Sequence, residues 1–150
     1  MNHQVYEHCW LLQHSFEKLV GKPLVSPRPL SNEALYHALY HAPFALVSHN
    51  AEADPIFNFA NTTAQQLWEM DWQSFTSLPS RLSAEPINQT EREQLLQMAR
   101  TKGYIDGYKG IRISQSGKRF YIQDTILWNI TDPQGMYYGQ AAMFHHWQWL

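Results

Sequence analysis

Residues 44–72, FALVSHNAEADPIFNFANTTAQQLWEMDW, constrain the fold more than any other stretch of this chain. Phe44 to Val47 forms a short apolar strand, an Asp-Pro step at 54–55 lies in a polar turn, and Ile56 to Phe59 forms a second strand. Asn61 comes next, and a helical run ending in Leu67 and Trp68 starts directly after it. Strand, turn, strand and helix in such close succession point to an α+β domain.

The flanking sequence extends this pattern in both directions. Upstream, Val5, Cys9, Leu12, Phe16 and Leu19 recur at helical spacing, so residues 3–20 read as an amphipathic helix that Gly21 and Pro23 stop. Pro23, Pro27 and Pro29 then make residues 21–30 an extended linker, and this helix an appendage. Ser31 caps a second helix carrying Leu35, Leu39 and Ala42. Downstream, Asp71 caps a short helix reaching Phe75, and residues 78–85 are irregular. Thr90 and Glu93 spell a capping box that launches a helix to Gly103.

From Tyr104 the period changes to two. Ile111 and Ile113 alternate with Arg112 and Ser114 up to a tight turn at Ser116-Gly117. Phe120, Ile122, Ile126, Trp128 and Ile130 alternate with polar residues up to a turn at 132–135, and Met136 to Trp147 reads as the last strand. Three longer strands joined by short turns form an antiparallel meander.

Composition narrows the class. Eleven Lys and Arg against 13 Asp and Glu leave a net charge of −2 without a basic run, so nothing marks a nucleic-acid binder. Apolar runs are too short to cross a membrane, and the N-terminus does not read as a signal peptide. One cysteine, Cys9, fits a reducing compartment and the cytoplasm. His37 and His41 share a helix face and His145-His146 point to opposite sides of a strand, which makes no metal site. No nucleophile elbow, phosphate loop or dinucleotide fingerprint occurs, so an enzyme is the minority reading.

Five blocks in order carry a family resemblance: ALYHAPFALVSHN at 38–50, DPIFNFANTTAQQLWEMDW at 54–72, LPSRLSAEP at 78–86, GYIDGYKGIRISQSGKRFYI at 103–122 and ILWNITDPQGMYYGQAAMF at 126–144. In wording they resemble the MEKHLA domain, a PAS-like domain of standalone bacterial proteins and of the C-termini of plant homeodomain–leucine zipper factors. No homeodomain or zipper is present, so the DNA-binding role is not carried over. The resemblance implies a PAS-like five-stranded antiparallel sheet with helices on one face and an extra N-terminal helix. The division is then a helix and Pro-rich linker over 1–29 and the domain over 30–150.

On that fold a ligand lies between sheet and helices. The pocket candidates are Phe44, Leu46, Ile56, Phe59, Asn61, Trp68, Phe75, Arg81, Glu85, Ile111, Ile122, Asp124, Ile126, Trp128 and Met143. Strand parity puts Asp124 on the inner face, as a polar anchor or an isomerase-like base, unless a bulge turns it outward. Arg81 offers a fork of donors for an anion, or pairs with Glu85; Asn61 is a cap at the strand–helix junction. Tyr121, Leu127, Tyr138 and Phe144 face outward by the same parity and, with helix 3–20, offer a homodimer surface. Cys9 lies outside the pocket, which excludes cysteinyl-flavin photochemistry; haem and non-covalent flavin have no support in the residues. The expected function is a sensor for a small, mostly apolar molecule. The alternatives are an interaction module with a solid core, or a small lyase or isomerase using Asp124.

Overall fold

The computed structural model describes residues 3–150. The N-terminal stripe folds as α1 (His3–Val20), and Ser31 caps α2 (Asn32–Tyr40) by accepting from the Ala34 N–H. Two short strands follow, β1 (Ala45–His49) and β2 (Phe57–Ala60), then α3 (Thr62–Trp68) and α4 (Trp72–Phe75), the latter capped by Asp71. After a 3-10 turn over Ser80–Ser83 comes α5 (Pro86–Lys102), and the chain ends in β3 (Tyr104–Ile113), β4 (Arg119–Thr131), β5 (Tyr137–Phe144) and β6 (His146–Trp149).

Two boundaries differ from the sequence reading. Helix α5 starts at Pro86, four residues before the Thr90 capping box, because a proline with its fixed φ is well suited to a first helical turn. The last strand breaks at His145, and β6 then pairs with the Phe120–Gln123 end of β4.

The sheet is antiparallel in the order β2-β1-β5-β4-β3. Strand β1 therefore lies inside the sheet between β2 and β5, and all five of its residues are buried because both sheet faces are covered. Phe44, Leu46, Phe59, Trp128, Ile130 and Met143 form one core layer with α1 and α2. Phe16 meets Trp128 edge to face at 4.8 Å, and the Trp128 indole N–H donates to Ser15 Oγ at 3.0 Å. The helix expected as an appendage is thus a wall of this core. Leu24 is buried in the same layer, and its N–H donates to Gln13 Oε1.

A bulge on β4 separates this layer from the other. Asp124 is exposed and takes φ 51°, and the residue phase inverts there. Phe120 and Ile122 before it, and Thr125 and Leu127 after it, share the inner face, while Ile126, Trp128 and Ile130 turn to the outer one. The parity that placed Asp124 inward and Leu127 outward is corrected by this one residue, and Phe144 on β5, also expected outward, is buried. Leu127 and Phe144 are in the inner core with Val47, Phe57, Leu67, Trp68 and Phe75. Tyr138 is exposed, and Tyr121 is half-buried. The outer sheet face considered as a dimer surface carries α1 of its own chain.

Asn61 joins three elements. Its Oδ1 accepts from Leu46 N at 3.0 Å and from Ala64 N at 3.1 Å, and its Nδ2 donates to Leu39 O at 3.1 Å and Phe44 O at 2.7 Å. The side chain is fully buried, so each of these groups depends on it. Asn61→Asp keeps the shape but sets a carboxylate against two carbonyls. Its stability in urea is expected to drop by roughly 3 kcal/mol or more. A loss below about 1 kcal/mol would show that water or a neighbour replaces the amide.

Candidate functional site: a cavity on the inner sheet face

The inner layer is not solid. A cavity of about 50 Å3 lies between the sheet and α5, walled by Val47, Phe57, Trp68, Leu96, Ile122, Leu127 and Phe144. Polar groups reach it from five elements: His49, Arg92, Arg112, Thr125 and Gln140. His49, Arg92, Leu96 and Gln140 also line a polar vestibule of about 220 Å3, bounded by Asp54, Arg81 and Arg100.

Each polar group has a local reason to be there. Arg92 falls on the helical phase of Leu96 and Ala99, so α5 turns it toward the sheet, and it is 7% exposed. Arg112 shares the phase of Tyr108 and Gly110 on β3 and is 5% exposed. A Cβ on Gly110 would meet Arg112 Nη1 at 3.0 Å, so the glycine makes room for the guanidinium. Arg112 donates to Ile111 O at 2.7 Å and lies 5.3 Å from the Tyr108 ring centre. Among the described residues neither arginine has a carboxylate within ion-pair distance. Burial lowers Arg92 to about 10 and, with help from the charge of Arg92, Arg112 to about 9, so both stay cationic at neutral pH.

His49 is held on both ring nitrogens. Nδ1 lies 2.9 Å from Ser80 Oγ and Nε2 3.4 Å from Gln140 Oε1, an arrangement that puts the proton on Nε2 and has Nδ1 accepting from the serine. Gln140 Nε2 donates to Leu96 O and to Asn129 Oδ1, and Asn129 Nδ2 to Arg100 O, which ties β5 and β4 to α5. Gly139 permits this packing: it has φ 135°, and a Cβ there would lie 1.9 Å from the His49 carbonyl. Thr125 is 1% exposed and its hydroxyl has no partner.

The expected pocket residues divide between several places. Trp68 and Ile122 line the cavity, and Phe75 backs Trp68 at 5.6 Å. Phe44, Leu46, Phe59, Trp128 and Met143 lie across the sheet, with Ile126 packed beside them. Ile111 is half-buried, out of phase with Arg112, and Ile56 bridges to Pro79 at the sheet edge. Arg81 pairs with Asp54 at 3.2 Å and Glu85 with Arg119 at 2.7 Å, so the Arg81–Glu85 pair does not form. Asp124 points to solvent, which removes it as a buried anchor or base. Sequence reasoning missed Arg92 and Arg112. The signal was an arginine at the apolar phase of a helix and another at the phase of a buried tyrosine.

Acid should open this site. Burial, and then the charge of Arg92, hold His49 down to about 4, against 6.5 in the unfolded chain. The unfolded chain takes up the proton first as pH falls, so stability is complete above about 6.5 and is lost between about 6.5 and 4. His8, lowered to about 4 by burial, acts in the same window. The joint loss is expected to be a few kcal/mol, and His49→Gln should remove roughly half of it in urea titrations at pH 7 and 4.5. An unchanged acid dependence would assign the loss elsewhere.

The sequence pattern of the MEKHLA domain matches residues 6–149, α1 included. No curated protein matches the sequence. Among solved structures, the PAS domain of a protein from Colwellia psychrerythraea superposes with a TM-score of 0.66 at 12% identity, over 79% of this chain and 95% of that one. A light-oxygen-voltage domain studied with a flavin analogue gives 0.62 at 13% identity, over 78% and 84% of the two chains. An RNA-binding light-oxygen-voltage receptor gives 0.65 at 14%, over 82% of this chain and 35% of the receptor. At these identities the likeness is one of fold, and the sheet order, the two short leading strands and the three-strand meander agree with it. With the family pattern spanning nearly the whole chain, the protein belongs to the MEKHLA domain family and has the PAS fold.

Proposed function

We propose that this domain is a sensor that holds a small ligand in the inner-face cavity and passes the bound state through β4 to α1. The observation that carries this reading is the contrast between the two sides of one sheet. The outer layer is filled by large rings and aliphatic side chains, whereas the inner layer keeps a space with apolar walls and a few convergent polar groups. Such a combination is the general form of a small-molecule site. The vestibule beside it supplies a polar approach, and β4 supplies the link. Thr125 and Leu127 face the cavity, and Trp128 on the same strand holds α1 through Phe16 and Ser15.

The ligand is smaller than the larger cofactors known to bind elsewhere in proteins. A neighbour in fold was studied with a flavin analogue, but here the space is about 50 Å3, far below the roughly 300 Å3 at which cofactor-sized sites begin. Cys9 is buried in the outer layer, where burial raises its thiol to about 12, so it offers no thiolate to the cavity. Among the described residues no helix is long and apolar enough to cross a membrane.

Native mass spectrometry of protein purified from its own host tests the reading. A stoichiometric small molecule, lost when Ala142 on the cavity wall is replaced by Leu, is the expected result. A chain that carries no molecule in any preparation, with an Ala142→Leu variant of unchanged or higher melting temperature, would make the cavity a packing defect and the domain an interaction module.

A further inference from the structure

The chemistry of the cavity specifies what it binds. Each guanidinium carries five N–H donors. Arg112 uses one of them on Ile111 O, and for Arg92 no hydrogen bond to another group is present among the described residues. Glu91 and Glu93 flank Arg92 on α5, but both are exposed, and neither forms an ion pair. Two like charges are therefore buried facing one space, with no carboxylate in contact and only the exposed Glu91 and Glu93 acting on them from a distance. Burying an unpaired charge is costly, and a chain that does so twice in one place needs an anion there. Thr125 adds an unpartnered hydroxyl to the same wall.

We propose that the cavity binds the carboxylate of a small organic acid between Arg92 and Arg112, its short apolar body lying against Val47, Phe57 and Leu127. The forked guanidinium matches a carboxylate with two parallel hydrogen bonds, and the Thr125 hydroxyl can donate a third. The small volume and the apolar remainder of the wall favour a compact acid over a phosphorylated metabolite. Entry is from the vestibule, because Arg92 lines both spaces and is the first buried charge an incoming anion meets.

This inference rests on the sensor reading and adds the ligand class to it. Calorimetric titration of the purified full chain tests it, with straight-chain carboxylates from acetate to octanoate, benzoate, the matching primary amides and inorganic phosphate as probes. At least one acid should saturate at one equivalent, with its amide weaker by about tenfold or more. Arg92→Met and Arg112→Met should each weaken that acid by about tenfold or more. Their unliganded melting temperatures should equal or exceed that of the unsubstituted protein, since each removes an unpaired buried charge. A purely structural arginine would show the opposite, a drop in melting temperature. If a Met variant does not fold, Arg112→Lys replaces it: charge is kept, the fork is lost, and binding should still weaken. Equal binding of acid and amide, binding of phosphate alone, or binding of no probe would overturn the proposal. The two readings fail separately. A neutral molecule that co-purifies while every acid fails removes the carboxylate and leaves the sensor.

Discussion

Strand β4 changes phase at Asp124, and both layers of the domain depend on that change. With a regular alternation, Phe120 and Ile122 would share a face with Trp128 and Ile130, and α1 and α5 would compete for the same side chains. The left-handed backbone at Asp124 lets one strand give Phe120, Ile122, Thr125 and Leu127 to the inner layer and Ile126, Trp128 and Ile130 to the outer one. The break at His145 on the neighbouring strand is the matching irregularity. Beyond it β6 pairs with the first half of β4, as β5 pairs with the second. An aspartate tolerates this backbone better than the β-branched and aromatic residues around it, and its carboxylate goes to water.

This division gives the two faces different work. The outer layer is a conventional core whose aromatic contacts and one buried indole hydrogen bond fix α1 to the sheet. The inner layer includes buried charge and empty space, both of which reduce stability. A domain can accommodate such a layer only if the rest of its packing is sound, and the filled outer core supplies that margin. Asn61 adds to it by satisfying buried backbone groups of α2, β1 and α3 with a single side chain.

Much of this was legible from local chemistry. The apolar stripe of α1, the caps at Ser31, Asn61 and Asp71, the turn at Ser116-Gly117 and the succession of strands along the chain all follow from signals within a few residues. What escaped is non-local or sub-residue in scale. A bulge shifts parity without altering composition, so the facing assignments of Ile126, Leu127, Trp128 and Ile130 inverted, and an inward acid became an outward one. Trp128 is as apolar as a pocket residue should be, yet it serves α1. Arg92 and Arg112 look like ordinary surface charges in TERE and IRIS, and only the phase of Ala99 and Tyr108 shows that they turn inward.

The position of those arginines also gives a reason for the closed polar network around them. A cation in a space of low polarity attracts any movable acceptor, and a free carboxylate nearby would neutralise it and close the site. The acceptors at hand are instead committed. Gln140 spans Leu96, Asn129 and His49, and His49 is kept neutral by burial and by Arg92 itself. Gly139 lets the β1 backbone approach close enough for that network to form, and Gly110 keeps a channel for Arg112. The surrounding residues thus leave most of the donors on the two guanidinium groups unpaired, the condition under which an anion from outside can bind.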